Sequence, residues 1–148
     1  MQSKEIIIEQ GRRYILIMDK HDEVISELQK FAETLRTKSG IPACSFTAIG
    51  GFEQATLAYF DRNRMVYDPI PVGEQVEVLS LIGNITESES KPKVHTHAIL
   101  GKRDGSAIGG HLMEGYIWPT LEIMLDVFPV TIERFMDEET RLPLIRLS

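Results

Sequence analysis

Residues 91–115 read KPKVHTHAILGKRDGSAIGGHLMEG and hold three of the chain's four histidines. In an extended strand, residues i and i+2 share a face, so His95 and His97 point together while Thr96 and Ala98 point the other way. The segment KRDGS between the two apolar runs reads as a hairpin turn, and its loop length decides where His111 falls. A two-residue loop, Asp104-Gly105, sets His111 opposite Ala98, on the wrong face. A three-residue loop, Arg103-Asp104-Gly105 with Gly105 left-handed, is also a favoured hairpin. It sets His111 directly across from His97, with Cβ atoms about 5 Å apart. A bulge at Gly109-Gly110 would shift that register. A metal site explains histidines so arranged, and so does a packed, hydrogen-bonded hairpin or a subunit contact.

Outward from the hairpin, RRYILIM (12–18) is apolar and β-prone. DKHDEVISELQKFAETLRTKSG (19–40) carries Val24, Ile25, Leu28, Phe31, Ala32 and Leu35 at helical spacing, one stripe facing a core. Asp19 or Asp22 is expected to cap this helix and Gly40 to end it, with Pro42 barring any continuation. His21 at its start reads as a polar surface residue. Everything downstream reads as β. ACSFTAIG (43–50) and FEQATLAYF (52–60) form a strand pair flanking Gly50-Gly51, and RMVYD (64–68) runs into a Pro-rich turn, DPIPVGE (68–74). QVEVLSLIGNI (75–85) alternates imperfectly, with Gly83 marking a bulge or a close backbone approach. TESESKPK (86–93) is a surface loop or the tip of a long hairpin. Pro119 is expected to break the strand after His111, leaving TLEIMLDVF (120–128) as a strand or short helix. TIERFMDEETRLPLIRL (131–147) gives a strand, an acidic turn and a short terminal strand. The expected architecture is α+β: one domain over 1–148, with its core at about 12–147, built as a twisted, mostly antiparallel sheet with one main helix.

Composition narrows the function classes. With 148 residues, 43% hydrophobic and 26% charged, the chain is ordinary for a soluble domain and long enough to bury roughly two-thirds of its unfolded surface. Its one cysteine, Cys44, excludes an intrachain disulfide framework and fits a reducing compartment. Within IPACSFTAIGG that residue reads as a small core side chain and not a nucleophile. The N-terminus lacks the pattern of a secretory signal, and no apolar run approaches the roughly 18 residues of a membrane span, so a cytoplasmic location without membrane attachment is expected. Sixteen Lys and Arg face 22 Asp and Glu, for a formal net charge of −6. Phosphate binding draws its affinity from basic side chains, and the basic spots at Arg12-Arg13, Arg62/Arg64 and Lys102-Arg103 read as solvated turn residues. Net charge therefore disfavours DNA as a partner.

Three histidines on one face leave the fourth position of a tetrahedral zinc open to water or substrate. Imidazole also suits copper, nickel and iron, so the site is better specified than the metal. Such an ion lowers the pKa of bound water to about 7 or polarises a carbonyl. The nearest proton carriers in sequence are Glu114 and Glu122, each also readable as an exposed or ion-paired carboxylate.

HTHAILGKRDGSAIGGHLMEG (95–115) resembles the signature of the PPC (plants-and-prokaryotes-conserved) domain in its stand-alone prokaryotic form. GEQVEVLSLIGNI (73–85) and IPACSFTAIGGFEQATLAYFD (41–61) are similar to further segments of that family, in the expected order. The resemblance implies a trimer whose fold is shared with acetolactate decarboxylases, enzymes that hold zinc through three histidines. It sets the corresponding ligands at His95, His97 and His111. The family is commonly labelled DNA-binding, largely because plant members join the domain to AT-hooks. An AT-hook needs an Arg-Gly-Arg core, and this chain has only GRR at 11–13. The expectation is a homotrimer with a three-histidine zinc site that binds or senses an unidentified small molecule. The alternatives are a DNA-associated regulatory protein and a metal-dependent lyase or hydrolase.

Overall fold

Apolar residues alternating with polar ones over long runs produce a sheet in which every pairing is antiparallel. The computed structural model describes residues 1–8 and 11–146. In chain order the elements are β1 (Gln2–Ile8), β2 (Gly11–Met18), α1 (Val24–Thr34), β3 (Cys44–Asp61), β4 (Val66–Val72), β5 (Val76–Ser88), β6 (Lys91–Gly101), β7 (Ala107–Val127), β8 (Arg134–Met136) and β9 (Pro143–Ile145). Seven strands lie in the order β1-β2-β7-β6-β5-β3-β4, and an additional β7–β3 pairing closes β3, β5, β6 and β7 into a ring. Closure leaves those four strands without a free edge along their paired lengths. β8 and β9 form a separate two-stranded hairpin. The α+β, mostly antiparallel architecture is the one expected. The last residue of the expected terminal strand, Leu147, lies outside the described residues.

The core fills the ring and the space beneath the helix. Phe46, Phe52, Leu57, Leu81, Ile85, Leu100, Ile117 and Leu121 are all buried on the strands. Helix α1 packs against β6 and β7, burying Val24, Leu28, Phe31 and Ala32. Phe31 meets Tyr14 edge-on at 5.1 Å. The cap differs from expectation. Glu23 occupies the N-cap, its carboxylate accepting from the amides of Ile25 at 3.0 Å and Ser26 at 2.8 Å. Asp22 instead accepts from the Asp19 amide, closing the turn before the helix. The helix stops at Thr34, and Gly40 belongs to the following turn, where its amide and carbonyl pair with Thr37.

Three further expectations are corrected. The strand pair around Gly50-Gly51 is one long strand, β3, with a register shift between Ala48 and Gly50. A Cβ at Gly51 would sit 2.2 Å from the Trp118 carbonyl oxygen, so the glycine pair is a close backbone crossing and not a turn. The Pro-rich segment is edge strand β4, where Pro69 and Pro71 lie opposite Ala58 and Thr56. An edge tolerates proline because its missing N–H can face outward. Strand β7 runs through Pro119 without a break, and TLEIMLDV continues it. The ladder to β3 skips from Ile117 to Leu121, so the proline falls where no paired N–H is required. TESESKPK proves to be a long hairpin's tip, narrowed to Glu89 and Ser90 at φ 51° and 59°. Positive φ at both loop residues is the type I′ geometry that matches strand twist. At Gly83 the close approach is the right reading, since a Cβ there would meet the Phe46 ring at 2.5 Å.

Candidate metal centre

The β6–β7 hairpin has the three-residue loop. Lys102 donates its amide to Ser106 at 2.8 Å, Gly105 donates back to Lys102 at 3.0 Å, and Gly105 has φ 84°. Asp104 accepts from the Ser106 amide and hydroxyl at 2.9 and 2.6 Å, holding the turn. His97 consequently pairs with His111, and the ladder runs evenly from there to Gly101–Ala107 with no bulge at Gly109-Gly110. On the other side of β6, His95 lies opposite Asn84 and His97 opposite Ile82. Alternation sends Val94, Thr96 and Ala98 into the core, so the imidazoles point outward.

The three ligand atoms, one from each ring, lie within 4.8 Å of one another. His95 Nε2 and His97 Nε2 are 3.3 Å apart. That equals the edge of a tetrahedron with Zn–N bonds of about 2.05 Å. His111 stacks on Tyr67 of β4, with ring centroids 4.8 Å apart and planes 28° from parallel. Its Nδ1 is buried and has no hydrogen-bond partner among the described residues. An ion taken up on that nitrogen would satisfy it, and an all-imidazole donor set fits a borderline divalent metal.

Electrostatics hold two of these rings, His95 and His111, neutral. Burial, together with the neighbouring His95, His97 and Lys93, pushes His111 down to about 4. His95 is also lowered, by burial first and then by Arg134, His97 and Lys93. Neutral imidazole is the ligating form, so neither ring has to lose a proton to bind metal near pH 7.

Arg134 was not distinguishable in the sequence from the other basic residues. It is 8% exposed and reaches the site from β8. Its Nε donates to Thr86 Oγ1 at 2.7 Å, Nη1 to the Pro143 carbonyl at 2.8 Å and Nη2 to Asn84 Oδ1 at 2.8 Å. Nη2 also lies 3.4 Å from His95 Nδ1. A guanidinium only donates, so in the metal-free protein that contact takes up the Nδ1 lone pair; an ion on Nε2 would require the other tautomer, with the ring proton on Nδ1 and this contact given up. The C-terminal hairpin is thereby pinned over the outer face of β5 and β6. Between them lies a hollow of about 100 Å³, lined by Tyr67, Lys93, His95, His111, Arg134 and the Leu142–Leu144 segment. A larger, more open hollow of about 390 Å³ lies against His95 and His97, over Phe46, Ile82 and Asn84, whereas one of about 380 Å³ beside Glu74 and Lys102 lies away from the histidines.

The structure does not bring the carboxylate candidates to this cluster. Glu114 accepts from Thr56 Oγ1 at 2.9 Å, and Glu122 is exposed opposite Ile49. His21 lies elsewhere, 3.0 Å from Glu53 Oε1. Cys44 is buried, with burial pushing its thiol up to about 12.

Comparison with known proteins agrees with this picture. Residues 7–129 match the Plants and Prokaryotes Conserved (PCC) domain. No curated protein matches the chain. A metal-containing protein from Archaeoglobus fulgidus is 32% identical, with a TM-score of 0.83 over 97% of this chain and 99% of that one. A Ralstonia eutropha JMP134 protein, named as a candidate DNA binder, is 28% identical with a TM-score of 0.85, covering 98% and 96% of the two chains. Acetolactate decarboxylase from Bacillus subtilis shares the fold at 12% identity and a TM-score of 0.56, over 76% of this chain and 51% of its own.

Proposed function

The chain belongs to the Plants and Prokaryotes Conserved domain family, and from that premise we propose that it holds a divalent transition metal, zinc, on His95, His97 and His111 and uses it to bind a small molecule. The convergence of three ligand atoms within 4.8 Å carries this reading. The rings sit on paired strands, so their geometry is fixed by backbone hydrogen bonds before any ion arrives. Three imidazole ligands leave an open coordination position, which suits ligand binding better than a closed structural site. The hollow beside them gives that position an occupant's volume. No carboxylate lines the hollow, so binding is favoured over chemistry that needs a carboxylate base.

Self-association as a homotrimer belongs to the same proposal. Ile49, Leu79, Ile82, Ile99 and Met124 are each 48–60% exposed on the outer surface of the ring strands, and Ile82 lies directly opposite exposed His97. Apolar exposure on this scale marks an interaction surface. Duplex DNA is the weaker candidate, because a net charge of −6 opposes the counterion release that drives phosphate binding.

A zinc titration against a chromophoric chelator tests the metal reading. One ion per chain is expected for the wild type. Losing an outer-shell partner costs 10–100-fold in metal affinity, so His97→Ala is expected to cost at least about 100-fold. Equal zinc affinity in the two proteins would overturn the assignment.

A further inference from the structure

The hollow beside the histidines has an unbalanced charge. Arg134 is buried, yet its four partners, Thr86, Pro143, Asn84 and His95, include no carboxylate. No ion-pair partner for Arg134 or Lys93 is present among the described residues. Buried charges in proteins are ordinarily paired, and this one sits in a chain with an excess of acidic residues. Every polar side chain on the wall is a cation, an imidazole or a phenol. Of the five N–H groups of a guanidinium, four are committed at Arg134, leaving one on Nη1. The remaining wall, Leu142, Pro143 and Leu144, is apolar.

We infer that this hollow is a carboxylate site, in which Lys93 and Arg134 face the carboxylate of a small monocarboxylic acid and the Leu142–Leu144 segment covers its short alkyl end. The volume of about 100 Å³ is roughly three times the ~30 Å³ share of a liquid water, which sets the ligand at a few heavy atoms. A phosphate would leave oxygens against the apolar wall, whereas a carboxylate keeps its polar end on one side. The inference deepens the metal reading, since the acid would lie against His95 and His111 and neutralise the cations that surround a bound ion. Because binding couplings are reciprocal, acid and metal should each tighten the other.

The test follows backbone amide NMR shifts of the full chain during titration with propionate, inorganic phosphate and propylammonium, each with and without zinc. The inference expects saturable shifts with propionate around Tyr67, Lys93–His95 and Leu142–Leu144, none with propylammonium, and tighter propionate binding in the zinc-loaded protein. Lys93→Gln should weaken propionate about tenfold, as loss of a charge-assisted contact does, while taking up zinc as the wild type does. Phosphate binding without propionate binding would overturn it, as would an unchanged propionate affinity in Lys93→Gln. If zinc is not taken up, the metal reading fails alone, and propionate is then judged on the metal-free protein. Absence of local shifts there overturns the carboxylate site itself.

Discussion

The guanidinium of Arg134, carried by the short C-terminal hairpin, lies 3.4 Å from Nδ1 of His95 on the main sheet. The same side chain ties β8 to Thr86 and Asn84 of β5. One residue therefore both anchors a peripheral hairpin and orients a candidate ligand. Replacing it with the similarly long Met strips a charged donor from Asn84 Oδ1 and the Pro143 carbonyl. Arg134→Met is expected to destabilise the fold by about 2–3 kcal/mol, read from the urea midpoint. A loss below ~0.5 kcal/mol would show that the hairpin is held by other contacts.

The neutral histidines give the metal-free protein a defined pH response. An unfolded histidine takes up a proton near 6.5, whereas folded His111 does so only at about 4, and His95 is shifted in the same direction. Between those values the unfolded chain binds more protons, so stability is full above pH 6.5 and falls as pH drops toward 4. Urea midpoints in chelator, compared at pH 7 and 5, check this. His111→Asn should flatten the slope.

The glycine crossing at β3 and β7 is expected to be intolerant of side chains. A Cβ at Gly50 would stand 2.3 Å from the Thr120 carbonyl oxygen, in a backbone at φ 152°. Gly50→Ala should cost about 3 kcal/mol or more, from a clash with backbone that cannot move aside. Gly73 has nothing within 4 Å of the corresponding position. Gly73→Ala should fall within about 0.5 kcal/mol of the wild type. Thermal unfolding of the pair decides the matter.

Cys44 should be inert in the native protein. It is 2% exposed, its pKa is raised to about 12 by burial, and its Sγ lies 3.5 Å from the Pro42 carbonyl. A thiol-reactive disulfide reagent at pH 8 should label it only after denaturant is added, because the thiolate is the reacting form. Prompt labelling without denaturant would contradict its place in the core.

Local patterns made much of the fold legible. The helical stripe from Val24 to Leu35 and the alternation around His95 are dictated by period, and the Asp104-Gly105 turn admits few loop lengths. Gly105 could adopt a left-handed conformation, and that selects the register setting His111 against His97. What stayed hidden depends on partners distant in sequence. Pro119 looks like a strand breaker until the β3 ladder is seen to skip it, and Gly50-Gly51 looks like a turn until β7 crosses there. Glu23 outcompetes the shorter Asp22 because the latter is engaged with the Asp19 amide. Arg134 is the clearest case. Nothing in ERFMD announces that its side chain will be buried against residues some fifty positions earlier.

The most direct test of the account is elemental analysis of the protein purified without a histidine tag and exposed to zinc before gel filtration. The account predicts one zinc ion per chain, lost in His97→Ala. Wild-type protein that emerges folded and free of zinc would contradict it.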